Sequence, residues 1–273
     1  MKKIVVLLVA VIIAGGYSTA QGVFNHISNP LKLHIDSVVV DGHNDTMLRI
    51  IDESSWLPHK DIRKRTDLHA DLWKLRAGNI SVPFFAAYSS PFYGQPERSL
   101  SRTLALFNAL YWTERNNSDI LEIASSYDEI EKVLLKRKIA AIPSIEGAYS
   151  ITKMNWEDLM LQYRDLGVKS IGFTWNYSND LAEGLYSAYG DYNGTSSESG
   201  LTALGILALE RINSLGIIAD VSHLSQESFW DVIGNTRGPV IASHSGAYGV
   251  VPHPRNLKDD QIEAIGENGG VIG

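Results

Sequence analysis

The sequence contains no cysteine in 273 residues. That absence excludes disulfide scaffolds, thiolate nucleophiles, Cys-ligated zinc and iron–sulfur clusters. Any metal ion must be held by His, Asp or Glu. Positive charge is scarce as well: 24 basic against 31 acidic residues give a formal net charge of −7. No basic field is available for phosphate backbones, which argues against nucleic acid as a partner. Long apolar runs are also missing. The stretch from Ile4 to Ala14 falls short of the ~20 residues that a spanning helix needs. What remains is 44% hydrophobic and 20% charged, the composition of a globular protein able to bury a sizeable core.

Residues 1–20 join Lys2 and Lys3 to that apolar stretch and end in the small-residue run Ser18-Thr19-Ala20 before Gln21. This is the pattern of a secretory signal peptide, with a short membrane anchor as the alternative. It predicts export to a periplasm or the extracellular space, in a bacterium, with no membrane span left after cleavage. Removing these residues, which carry two lysines and no acid, leaves 253 residues at a formal charge of −9. Residues 21–273 show no repeat or linker and read as one domain.

Apolar, β-branched runs alternate with helical patterns along that domain, the signature of βα units around a parallel sheet. Strands are predicted at Val38–Val40, Ile80–Ala87, Ile139–Ile145, Val168–Thr174, Ile217–Val221 and Val240–Ser243, with the opening of a seventh at Gly270–Gly273. Helices are predicted over Asp128–Lys136, Trp156–Leu166 and Thr202–Leu215, the last closed by Gly216. Tyr186–Gly200, rich in Ser, Gly, Tyr and Asn, reads as a long loop. Six strands and a fragment suggest a (β/α)8 TIM-like barrel lacking its last one or two βα units. An open doubly wound sheet is the alternative.

In such barrels chemistry collects where the strands end. The strands end in Asp41-Gly42-His43-Asn44-Asp45, Ile145-Glu146-Gly147, Asp220-Val221-Ser222-His223 and Ala242-Ser243-His244-Ser245. His43 and Asp45 are spaced i, i+2, so on an extended chain they share a face and can chelate one ion. His223 and His244 occupy equivalent places in two successive phrases. Glu146 closes an otherwise apolar strand, where an unpaired charge would cost several kcal/mol. Either a cation or an arginine from a neighbouring strand would remove that cost. With two oxygens, Glu146 can bridge two ions ~3.5–4 Å apart, His43 and Asp45 completing one and His223 and His244 the other. Imidazole and carboxylate ligands suit two Zn2+ best, ahead of Mn2+ or Co2+. The remaining histidines, His26, His34, His59 and His69, read as surface residues, and His253 lies in the rigid phrase Pro252-His253-Pro254 beside Arg255.

Together these phrases resemble the membrane (renal) dipeptidase family of metallopeptidases, from about Val38 to the end of the chain. The matching pieces are Asp41-Gly42-His43-Asn44-Asp45, Lys74-Leu75-Arg76-Ala77-Gly78, Ile145-Glu146-Gly147, Leu201-Thr202-Ala203-Leu204-Gly205, Asp220-Val221-Ser222-His223, Ser243-His244-Ser245 and Arg255-Asn256-Leu257. The resemblance implies a barrel with a binuclear zinc centre on those five ligands. It implies hydrolysis of a dipeptide's amide bond by a hydroxide bridging the ions, with Glu146 catalytic as the bridge and Arg255 pairing with the substrate's carboxylate. Other binuclear amidohydrolase chemistry, on a lactam, an N-acyl amino acid or a lactone, is the alternative, as is a non-catalytic metal-binding remnant. Trp175, beside Asn176 in the substrate-contacting phrase, stands where members often carry a histidine. Members also continue past the Gly-Gly-Val-Ile-Gly phrase to a further aspartate, so the resemblance implies a C-terminally incomplete chain of low activity. A homodimer is compatible with the sequence.

Overall fold

The computed structural model describes residues 30–93, 96–185 and 200–273. The expected signal peptide and nearly all of the 186–200 loop lie outside the described residues. The strands are β1 (Val39–Asn44), β2 (Ile80–Tyr88), β3 (Leu121–Ile123), β4 (Ile139–Glu146), β5 (Ser170–Gly172), β6 (Ile218–Asp220), β7 (Ile241–Ala242) and β8 (Val271–Ile272). The helices are α1 (Pro30–Asp36), α2 (Leu72–Ala77), α3 (Pro96–Asn116), α4 (Tyr127–Leu135), α5 (Trp156–Asp165), α6 (Ala203–Ser214), α7 (Gln226–Asn235) and α8 (Asp259–Glu267).

Every ladder is parallel, and strand order follows the chain as β1-β2-β4-β5-β6-β7-β8, with β3 beside β4. A doubly wound sheet reverses its order at a switch point; this one advances in one direction and curls. Gly42 in β1 comes so close to the residue after β7 that a Cβ there would lie 2.6 Å from the Ser243 carbonyl oxygen. The result is an α/β half-barrel, with no ladder joining β8 back to β1 among the described residues.

The eight strands correct the sequence-based count in one place. β3 was missed because Glu122 interrupts its three residues, leaving no apolar run of the kind that marks the other strands. The fragment at the chain's end is accordingly β8. β3 pairs with Ile139–Ala141 at the start of β4, and β5 takes over the same edge from Ser144 onward, with β2 along the opposite edge. The changeover sits beside Pro143, which has no N–H to give to a ladder.

Local signals explain the helix ends. Thr202 caps α6 by accepting from the Gly205 amide at 2.9 Å, and Gly216 terminates it at φ +67, a conformation costly for a side-chain-bearing residue. Ser126 caps α4, while Glu129 reaches back to the Ser125 amide at 2.7 Å. Helix α3 lays Leu106, Phe107 and Leu110 against the sheet, all essentially buried. Each such side chain contributes about 1.5–3 kcal/mol of transfer free energy. β4 is buried along its whole length, so an ionised residue at its end must find its partners inside the barrel mouth.

Candidate metal centre

Glu146 is that residue, 6% exposed at the end of β4. Gly147 follows at φ +82 and turns the chain away, where a Cβ would strike the Ser89 carbonyl oxygen at 2.5 Å. The Ser89 hydroxyl secures the turn by donating to the Gly147 carbonyl at 2.6 Å. No arginine pairs with Glu146; its ion-pair partners among the described residues are three imidazoles. Oε1 lies 2.9 Å from His223 Nε2 and 3.3 Å from His244 Nε2, and Oε2 lies 3.5 Å from His43 Nε2.

His43 and Asp45 leave β1 through a local network. Asp41 accepts from the Asn44 side chain at 2.9 Å, and the Asn44 oxygen accepts from the Thr46 amide at 3.1 Å. The expected shared face holds, with His43 Nε2 3.4 Å from Asp45 Oδ2. His223 occupies the left-handed region at φ +70, which a non-glycine residue seldom adopts, and the Thr174 hydroxyl donates to its carbonyl at 3.1 Å. The His43 and His244 ring centroids are 3.9 Å apart. The structure therefore brings together all five residues singled out as ligands.

The second nitrogens of two rings are fixed from behind. His223 Nδ1 lies 2.7 Å from Asn176 Oδ1, which can only accept. The Ser243 hydroxyl donates to Asp220, so toward His244 Nδ1, 2.8 Å away, it serves as acceptor. Asp220 also accepts from the Ser222 and Ser243 amides at 3.0 and 3.1 Å. Both rings thus carry hydrogen on Nδ1 and turn an Nε2 lone pair toward Glu146.

The electrostatics agree. Burial would raise the Glu146 carboxyl, but the His223 and His244 side chains beside it and the charge of His43 hold it well below the usual range. Burial dominates at His223 and brings it down to about 4, against the pull of Glu146, so this ring is neutral near pH 7. At His43 burial also acts downward, but the Asp45 hydrogen bond and the charges of Glu146, Asp45 and Asp220 outweigh it and raise the pKa. Lone pairs converging on an ionised carboxylate form a donor set for a cation, and the ligand atoms of His43, Glu146 and His244 lie within 4.8 Å of one another.

The residues expected around substrate sit at the rim. Arg255 is partly buried and donates to the His244 carbonyl at 3.1 Å. Trp175 packs between Tyr88, Tyr177 and His223, at centroid distances of 5.3, 5.6 and 6.0 Å. Tyr149, not singled out in the sequence, receives the Trp175 and Tyr177 amides at 3.2 Å each and so shapes this wall. Asp220 and Ser243 were likewise missed as supports, although both stand in the strand-end phrases that carry the histidines. His34, His59, His69 and His253 are exposed, and His26 lies outside the described residues.

An α/β half-barrel with a His/Asp/Glu cluster at its strand ends defines the class. Residues 29–273 match the family model of membrane dipeptidase, peptidase family M19, and the chain belongs to that family. It is 30% identical over 261 residues to dipeptidase verJ of Clonostachys rogersoniana, covering 91% of this chain and 64% of the relative. It is 31% identical over 247 residues to an uncharacterized dipeptidase of Schizosaccharomyces pombe, covering 86% and 58%. The chain thus spans about three-fifths of the length of these curated relatives. Among solved structures, the metallo peptidase of Rhodobacter sphaeroides liganded with a phosphinate mimic of L-Ala-D-Ala superposes with a TM-score of 0.75 at 26% identity, over 86% of this chain and 73% of that one. The probable dipeptidase PvdM of Pseudomonas aeruginosa gives 0.76 at 25%, over 92% and 62%.

Proposed function

We propose that this chain carries the metal centre of a dipeptidase that hydrolyses the amide bond of small dipeptides. The observation that carries this reading is the division of Glu146, with Oε2 toward His43 and Oε1 toward His223 and His244. Through that division Glu146 would serve two ions, with His43 and Asp45 holding one and His223 and His244 the other. When bound, two Zn2+ ions would supply a Lewis acid for the scissile carbonyl and bring the attacking water's pKa toward neutrality; Mn2+ or Co2+ suits this ligand set less well.

The protein's own groups do the rest. Arg255 presents a planar fork to the substrate's terminal carboxylate. Trp175 excludes water from one side. Asn176 reaches substrate only through its amide nitrogen, because its oxygen is engaged by His223. Asp220, through Ser243, orients His244. The relative carrying an L-Ala-D-Ala mimic supports a dipeptide-sized substrate. We place the protein outside the cytoplasm on the pattern of residues 1–20; no described helix is long and apolar enough to cross a membrane.

The test measures zinc per chain and amino-acid release from dipeptides, with lactam, N-acyl amino acid and lactone substrates alongside. Glu146→Gln should hold at most one ion and lose roughly 100-fold or more of the hydrolysis. A variant that binds two ions and hydrolyses normally would overturn the bridging role.

A further inference from the structure

A cavity of about 400 Å3 opens beside the cluster, between the chain after β6 and the chain after β7, and His223, Tyr248, Arg255, Glu227 and Glu183 all line it. Such a volume suits one small ligand. Glu183 is the group in its wall that dipeptide hydrolysis, as derived from the metal cluster, leaves without a task. It is only 9% exposed, and its Oε2 has no hydrogen-bond partner among the described residues.

Its position is built by the backbone. The Glu183 amide donates to the Ser228 hydroxyl oxygen at 3.1 Å, and the Glu183 carbonyl accepts from the Ser225 amide at 3.1 Å and from the Ser228 hydroxyl at 2.9 Å. These bonds tie it to the start of α7, immediately after His223 and Leu224. Burial raises its carboxyl, a Ser225 hydrogen bond opposes that, and the neighbouring charge that adds to the rise is a second carboxylate, Glu227. A carboxyl in the cavity wall, next to another acid and with no cation paired to it among the described residues, is completed by a cationic donor.

We propose that Glu183 is a specificity residue that receives the ammonium or guanidinium end of a basic side chain, so that the enzyme prefers dipeptides whose C-terminal residue is lysine- or arginine-like. This rests on the dipeptidase reading, which puts that residue's carboxylate on Arg255 in the same cavity. The basic side chain then runs along the cavity to Glu183, its methylenes against the wall and its charge on the acid.

The test uses the zinc-loaded full chain. kcat/KM is measured for Ala-Lys and Ala-norleucine, with each stereoisomer at the second residue, and calorimetry measures binding of free lysine and norleucine. Lysine should be favoured at least about tenfold in both assays, as for a charge-assisted hydrogen bond. Glu183→Gln should bring the ratio to within about twofold of one, and Glu183→Asp should restore part of it. A wild-type ratio near one overturns the proposal, as does a preference that survives in Glu183→Gln. If neither dipeptide is cleaved, the dipeptidase reading falls, and calorimetry alone decides the subsite. A lysine preference lost in Glu183→Gln upholds it, and no preference overturns it.

Discussion

The Nε2 atoms of His223 and His244 face each other at 2.8 Å, with Glu146 Oε1 within 2.9 Å of the first and 3.3 Å of the second. Because Asn176 and Ser243 hold the hydrogens on the opposite nitrogens, lone pairs rather than donors meet across this gap. A cation between them makes that arrangement favourable.

Divalent metal should therefore stabilise the fold. At free zinc about 100 times its Kd, linkage adds about 2.7 kcal/mol, which for a chain of this size raises Tm by roughly 5–10 °C. Thermal scans with zinc and then with excess chelator measure it. A Tm indifferent to both would remove the metal centre.

The Asp220–Ser243–His244 chain sets the tautomer of one candidate ligand. Ser243→Ala breaks the relay and leaves Asp220 one donor short, and should weaken metal binding by roughly 10–100-fold. Ser243→Thr, which keeps the hydroxyl, should recover much of the loss. Chelator competition gives both affinities, and equal affinity in Ser243→Ala would show that the relay does not orient the ring.

Gly42 lets two strand ends touch. In Gly42→Ala the new methyl meets the Ser243 carbonyl oxygen at 2.6 Å, so the residues preceding His43 and His244 must separate. The expected cost is about 1–3 kcal/mol, together with loss of tight zinc binding. Denaturant unfolding and zinc titration check the two effects, and full zinc affinity in the variant would contradict this role.

Acid stability should depend in part on Asp71, which is fully buried and caps α2. Burial acts to raise its carboxyl, but hydrogen bonds from the Thr66 and Lys74 amides and side chains outweigh it and hold the group below the usual carboxylate range. A depressed carboxylate contributes stability at pH values above its unfolded pKa, about 4, and that contribution is lost as pH falls through the lower folded value. Asp71→Asn should cost about 1–2 kcal/mol at pH 7, with the difference from wild type shrinking as pH falls below about 4. Unfolding measured from pH 7 to pH 3 tests this; a constant difference would assign the effect to shape alone.

Much of this molecule is legible in its amino-acid sequence. The apolar runs at Ile80–Ala87 and Ile139–Ile145 lie within β2 and β4, because a strand buried on both faces must be apolar throughout. The Thr202 and Gly216 signals locate α6 to within a residue. The absence of cysteine leaves His, Asp and Glu as the sole ligand types, and the strand-end phrases supply five of them. β3 escapes because Glu122 breaks what would be its apolar run. Glu183 escapes because an acid in a polar phrase looks solvated until burial is known.

All strands but β3, helices α4, α5 and α6, the parallel α/β class and the identities of the clustered residues are legible in the sequence alone, since they follow from apolar runs, local periodicity, capping chemistry and the rule that polar groups gather where strands end. Three features needed the folded chain: the sheet curls until Gly42 meets Ser243, Asn176 and Ser243 fix the imidazole hydrogens, and Glu183 is left unpaired beside the cavity. These are contacts between residues tens to hundreds of positions apart, and their distances depend on the packing of the whole half-barrel rather than on any local pattern.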